Sequence, residues 1–179
     1  LSISGQLVDP VELEVRPTFQ SAAGRTLYGG GGITPDLFVM PETLSAAEVS
    51  AVQRLFARGG GFSLALFNYA VEYVSEHADL EPGFAVSGAD LRDFFATLPD
   101  FGAGVDLADF EGAERFVRYQ LEGEIALQAW GEAGQFRQLQ GHDRQLARAM
   151  EILLDAESPA DLLEDVAAEP ADEAPAPGA

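Results

Sequence analysis

FEGAERFVRYQLEGEIALQAW, running from Phe110 to Trp130, is the stretch that decides the fold. At 100° per residue, Phe110, Ala113, Val117, Leu121 and Ile125 fall on one stripe. Phe116, Tyr119, Leu127 and Trp130 lie roughly opposite. Glu111, Glu114, Arg115, Arg118 and Glu122 fill a polar wedge between the two. The pattern predicts one long helix, opened by Asp106 or Asp109 and ending near 129–131, as the central post of a helical bundle. Glu111–Arg115 and Glu114–Arg118 are i,i+4 pairs in the favourable order, each worth ~0.3–0.5 kcal/mol when exposed. The wedge reads as a solvated, salt-bridged face rather than a row of catalytic carboxylates.

Shorter helices are punctuated on either side of it. Ser45 and Glu48 form a capping-box pattern ahead of Val49, Val52, Leu55 and Phe56. Arg58 and the glycines 59–61 end that helix. Phe62 to Glu76 is apolar on most sides, with Leu64, Phe67, Val71 and Val74 on one and Leu66, Tyr69 and Tyr73 on another, which predicts a buried helix. Ser87 with Asp90 opens a third, carrying Leu91, Phe94, Phe95 and Leu98 as far as Pro99. Asp143 opens another, with Leu146, Met150 and Leu153 at helical spacing. Ser158-Pro159-Ala160-Asp161 is a helix start with proline in the first turn, followed by Leu162, Leu163 and Val166.

Composition removes whole classes of chemistry. The 179 residues carry thirty acids against ten basic residues, a formal charge of −20, and every basic residue is arginine. With no cysteine there is no disulfide, thiolate nucleophile or cysteine zinc site. With no lysine there is no Schiff base, no P-loop lysine and no Ser–Lys dyad within these residues. A charge of −20 repels nucleic acid and anionic membrane alike. High-salt solubility and a high-GC genome both account for an acidic, lysine-free chain. The longest apolar run, Phe62 to Val74, is interrupted by Asn68 and Glu72 and is too short to span a bilayer. No signal peptide is visible. The chain starts at Leu1 without an initiator methionine, so an upstream segment is expected.

The two histidines, His77 and His142, are isolated. Neither has the i,i+4 partner of a metal pair, and no Gly-x-Ser-x-Gly elbow supports a triad with Ser21 or Ser63. No acid run has the spacing of a calcium loop. No metal or cofactor is expected.

The densest motif is GRTLYGGGGITPD, from Gly24 to Asp36. Four consecutive glycines are costly to order and persist where a chain turns sharply or presses its backbone on something. A phosphate loop needs Gly-Lys-Ser/Thr, and Asp36 would repel phosphate. A dinucleotide loop needs a helix at the glycines, but extended Leu37-Phe38-Val39 follows. A tight crossing of two strands, with Arg25 able to pair with Asp36, fits the residues better.

This motif, with Phe19 and Ser21 ahead of it, closely resembles a segment of the carboxy-terminal processing peptidases, tail-specific proteases of the Ser–Lys type. Gly24, Arg25, Tyr28, Gly29, Gly30, Gly31, Gly32, Ile33, Pro35 and Asp36 match its pattern as structural rather than catalytic residues. FSLALFNYAVEYV, FAVSGADLRDFF, FVRYQLEGEIALQAWG and GHDRQLARAMEILLDA look like the helical extension of that family, so the likeness covers roughly residues 19–156. The resemblance implies proteolysis by a periplasmic or exported enzyme that grips a substrate's C-terminal tail. Its serine, its lysine and its PDZ domain all lie upstream of the glycine motif. No catalytic residue carries over, because this chain has no lysine.

The expected fold class is α+β, mainly α: a short N-terminal β element, a glycine-rich link, then a bundle-like helical subdomain of five or six helices. Residues 1–43 read as the end of a peptidase catalytic domain, 44–167 as the helical subdomain and 168–179 as a disordered acidic Pro/Ala tail. The functional expectation is the noncatalytic C-terminal portion of a tail-specific serine endopeptidase, reaching protein or peptide substrate through upstream domains. The alternative is a free-standing acidic helical protein-interaction module. A peptidase portion should expose apolar side chains on residues 1–40, and an independent module should not.

Overall fold

The predicted capping box at Ser45 is built in the computed structural model, which describes residues 1–8, 17–21, 26–29, 37–57, 59–158 and 161–162. Ser45 Oγ accepts from the Glu48 amide at 3.3 Å, and the Glu48 carboxylate accepts from the Ser45 amide at 2.7 Å, opening α1 (Ala46–Phe56). Ser87 and Asp90 repeat the arrangement at the start of α3 (Gly88–Thr97). Between them lies α2 (Gly61–Glu76). Pro99 sits in the first turn of a 3-10 turn, Leu98–Phe101, that takes over where α3 ends. The chain is mainly helical, with one two-stranded antiparallel sheet near its N-terminus.

The long helix opens at Asp106 and is interrupted at Gly131, as expected, but it is not continuous between them, and helical turns resume after Gly131. It is broken at Ala113 (φ −105°, ψ 8°) into α4 (Leu107–Gly112) and α5 (Glu114–Leu139). The break lets α4 lie against α1, where a Cβ on Gly112 would stand 3.2 Å from the Ala51 Cβ. Near the predicted end, Gly131 leaves helical geometry at φ +70°, a left-handed value open to glycine. The chain reverses there: Gln135 Nε2 donates to the Gly123 carbonyl at 3.3 Å, and Leu139 packs on Gly123. A continuous helix would hold residues 123 and 139 about 24 Å apart.

The contacts divide the chain into two compact units, one of Leu1–Leu7 with Pro41–Asp143 and one of Val8–Met40 with Arg144–Ala179. The N-terminal segment is thus split between units, whereas composition groups 1–43 together.

In the first unit, the predicted stripe of Phe110, Ala113, Val117, Leu121 and Ile125 is buried. It meets Phe62, Ala65, Leu66 and Ala70 of α2, with Leu55, Leu91, Phe94 and Leu98 completing the core. Phe56–Phe62, Phe62–Phe94, Phe94–Phe110 and Phe95–Phe110 form a continuous aromatic chain at centroid distances of 5.1, 5.7, 6.2 and 4.9 Å. Gly61 allows a close approach of two backbone segments, since a Cβ there would lie 2.5 Å from the Phe101 carbonyl oxygen. Ile3 joins this core through Ser2–Thr43 pairing and a hydrogen bond from the Ile3 amide to the Glu42 carbonyl at 2.8 Å. Helix α2 is not buried all round: Leu64, Phe67 and Val71 are about half exposed. Small Ala65 and Ala70 carry the close packing on the inner side, and the outer stripe is left to solvent.

In the second unit, β1 (Thr18–Gln20) pairs antiparallel with β2 (Thr26–Tyr28), Phe19 opposite Leu27. Both strands precede the glycine run, and Leu37–Val39 after it is not a strand. Helix α6 (Arg144–Asp155) begins where Asp143 predicts, and Gln145 Nε2 donates to the Val39 carbonyl at 2.8 Å. Ser158 Oγ accepts from the Asp161 amide at 3.3 Å, the start of the predicted final turn. Val11, Leu13, Val15, Arg58, Leu163, Val166 and the tail 168–179 lie outside the described residues.

Candidate functional site

Of the motif residues that match the peptidase pattern, the structure describes Tyr28 and Gly29. Tyr28 pairs with Thr18, and the Gly29 amide donates to the Pro17 carbonyl at 2.8 Å. A Cβ on Gly29 would stand 2.6 Å from the Phe19 Cε2, so this glycine lets the ring lie over the backbone. Gly24, Arg25, Gly30, Gly31, Gly32, Ile33, Pro35 and Asp36 lie outside the described residues, and so does the expected Arg25–Asp36 pair.

The polar wedge departs from its predicted role. Glu114 and Arg118 pair as expected at 2.7 Å. Glu111 and Arg115 do not, because the break at Ala113 takes them off a common helix. Arg115 bonds instead to Glu48 at 3.0 Å, Glu42 at 3.3 Å and the Thr43 carbonyl at 2.7 Å. Glu122 is buried, where a solvated face was expected. Its Oε1 accepts the Val86 amide at 3.0 Å, while Arg118 donates to the Val86 carbonyl. Two side chains one turn apart thus hold both polar groups of one buried residue.

The densest charged cluster in the first unit gathers around Glu42. One carboxylate oxygen meets Arg115, and the other meets His142 Nδ1 at 3.0 Å. Tyr119 stands edge-on to the His142 ring at 5.3 Å. Burial pushes the Tyr119 hydroxyl above its usual pKa, and the Asp143 and Glu42 carboxylates add to the shift. Burial alone would raise the Glu48 carboxyl. Its bonds from Ser45 and the Arg115 charge more than offset that and hold it below the usual range. Each group is therefore spent on a neighbour: Glu42 on Arg115 and His142, Arg115 on two carboxylates and a carbonyl.

His77 caps α2, its ring Nδ1 2.8 Å from the Tyr73 carbonyl and its ring stacked on Tyr73 at 3.9 Å. The ring nitrogens of His77 and His142 thus lead to the Tyr73 carbonyl and the Glu42 carboxylate. Burial also raises the Tyr69 hydroxyl, with Asp90 next in effect, and its hydrogen bond goes to the Asp90 carbonyl at 3.0 Å. Among the described residues no group of three His, Asp or Glu side chains could hold a metal ion. None of the described helices is long and apolar enough to cross a membrane.

A cleft of about 490 Å³ in the same unit is lined by Leu1, Ser4, Gly5, Val52, Gln53, Phe56, Phe116 and Gln120. Its polar groups are two amides and a hydroxyl already bonded to Ser2 Oγ at 2.8 Å. That lining can take up an apolar side chain. It offers no acid, base or activated nucleophile. Nothing local in the sequence marks Glu42, whose partners Arg115 and His142 come from 73 and 100 residues away. No family model, curated protein or solved structure matches the chain.

Proposed function

We propose that this chain is the noncatalytic C-terminal portion of a tail-specific serine endopeptidase, periplasmic or exported, whose protein or peptide substrate is bound and cut by upstream domains. The observation that carries this reading is apolar surface on the N-terminal segment. Leu7, Phe19 and Leu27 are 84, 59 and 39 % exposed. Phe19 and Leu27 face each other across a two-stranded ribbon, which is marginal in water without a further strand or a covering layer. A catalytic body packed on these residues would supply that cover. The chemistry is consistent: the Ser–Lys pair of that family needs a lysine, and this chain has none.

The intact mass of the natural gene product tests the reading. A product well above 19 kDa, with a serine and a lysine encoded in frame ahead of Leu1, is expected. The 179-residue chain alone should leave a fluorophosphonate probe unreacted. A natural product of 19 kDa, or labelling of the isolated chain, overturns the proposal. The second reading, a free-standing acidic module that binds a protein partner, draws on the first unit. Its core is self-contained, and no buried side-chain nitrogen or oxygen among the described residues lacks a partner.

A further inference from the structure

Helix α5 turns back on itself at one residue. Gly131 stands at φ 70°, ψ −170°, a backbone region that only glycine occupies at low cost. Three residues on, a Cβ on Gly134 would overlap the Trp130 Cβ and stand 3.2 Å from the Ala126 carbonyl oxygen. Both glycines serve the reversal. In a straight helix neither position is strained, because Cβ atoms four residues apart lie about 5–6 Å from each other.

The returning arm, residues 132–143, is lightly held. The hydrophobic core ends at Ile125, and Gly134 is the one buried residue of the arm. Its attachments include Gln135 to the Gly123 carbonyl, Gln138 to the Gly83 amide (2.9 Å) and the Phe84 carbonyl (2.6 Å), Leu139 on Gly123, and His142 to Glu42. A segment that buries so little apolar surface opens at far lower cost than the core.

Residues 123 and 139, in contact here, stand eight positions on either side of Gly131. If Gly131 turns helical, residues 114–139 become one straight helix and this contact is lost within the chain. Two such helices crossing antiparallel at residue 131 set 139 of each on 123 of the other, which remakes the contact twice about a two-fold axis. The Gln138 and His142 bonds reform in the same way, each to the other copy. We infer that the arm 132–143 exchanges between two copies of this chain, with Gly131 as the hinge. The partner is a second copy because the surface that would receive its arm already holds the same segment of its own chain. A one-residue hinge has no slack, and short hinges under strain invite exchange. The inference does not depend on the peptidase reading.

Sedimentation equilibrium of the 179-residue chain, at about 0.3 M salt to screen its net charge, tests it. Wild type should move from monomer towards twice 19.0 kDa as concentration rises to ~1 mM. Gly131→Ala should strengthen the dimer at least about a hundredfold, because two hinges leave a glycine-only geometry and each gains helix propensity. Gly134→Ala should act in the same direction. The chain has no cysteine, so single introduced thiols report the exchange. Glu42→Cys in one chain and His142→Cys in another, both carrying Gly131→Ala, should be joined by a short bismaleimide once the two are mixed. If Gly131→Ala does not fold, the same two thiols in the wild-type background at ~1 mM decide. A wild-type chain wholly monomeric at ~1 mM overturns the inference, as do monomers in both alanine variants. A dimer that the bismaleimide leaves unlinked overturns it too, since copies that keep their own arms do not bring positions 42 and 142 of different chains together.

Discussion

Glu122 gives the sharpest test of how the first unit is held together. Its carboxylate accepts the amide of Val86, a residue 1 % exposed at the entry to α3. Glu122→Ala removes the acceptor and leaves the Val86 N–H buried. Losing a hydrogen bond to a charged group costs ~1.5–3 kcal/mol, and an unsatisfied buried donor carries a penalty of similar size already counted within that loss. A small cavity adds to it, so the total should reach ~2–4 kcal/mol. Glu122→Gln keeps a carbonyl acceptor in place and should cost about 1 kcal/mol or less.

The assay is urea unfolding followed by the fluorescence of Trp130, the single tryptophan, which packs 6.1 Å from Phe84 in the same unit. With a slope of ~1–3 kcal/mol/M, the alanine variant should lower the midpoint by about 1 M or more and the glutamine variant by far less. The two variants differ in whether the Val86 amide has an acceptor. If alanine and glutamine fall within ~0.5 kcal/mol of each other, the hydrogen bond is not what makes Glu122 matter, and the reasoning fails. A cycle with Arg118→Ala should then show coupling of at least ~0.5 kcal/mol, since both side chains act on the same residue.

Other expectations follow from the same contacts. Ser45→Ala should cost about 1 kcal/mol in the same urea assay by removing the α1 cap. The lowered Glu48 pKa makes its contribution present above the unfolded carboxylate value, ~4.3, and lost as pH falls through the folded one. The stability gap between wild type and Glu48→Gln should therefore close on acidification, and a gap that widens would contradict the assignment. Gly61→Ala should destabilise by ~1–3 kcal/mol, because the new Cβ meets backbone at Phe101 and Ala103 rather than a movable side chain. Phe94→Ala should cost ~3–5 kcal/mol, since this ring is fully buried and links Phe62, Tyr69 and Phe110.

The elements legible in the sequence are those whose determinants are local. Ser45 with Glu48 and Ser87 with Asp90 lie three residues apart, and a capping box needs nothing from the rest of the chain. The stripe from Phe110 to Ile125 also survived, though two helices carry it instead of one. The break between them sits at Ala113, a strong helix former that gives no local warning. What displaces it is tertiary: α4 presses Gly112 on Ala51 of α1, an approach that a straight continuation would not make.

The charged cluster was illegible for a related reason. A helical wheel assigns Arg115 to Glu111 and Glu122 to solvent because it knows only the helix on which they stand. Once the helix breaks, Arg115 reaches residues 42, 43 and 48, and the segment around Val86 closes over Glu122. Both changes turn surface charges into struts between distant parts of the chain. Glu42 is the clearest case: one carboxylate takes Arg115 and His142, while its own carbonyl takes the Ile3 amide. That arrangement is why the densest polar region of the first unit works as bracing.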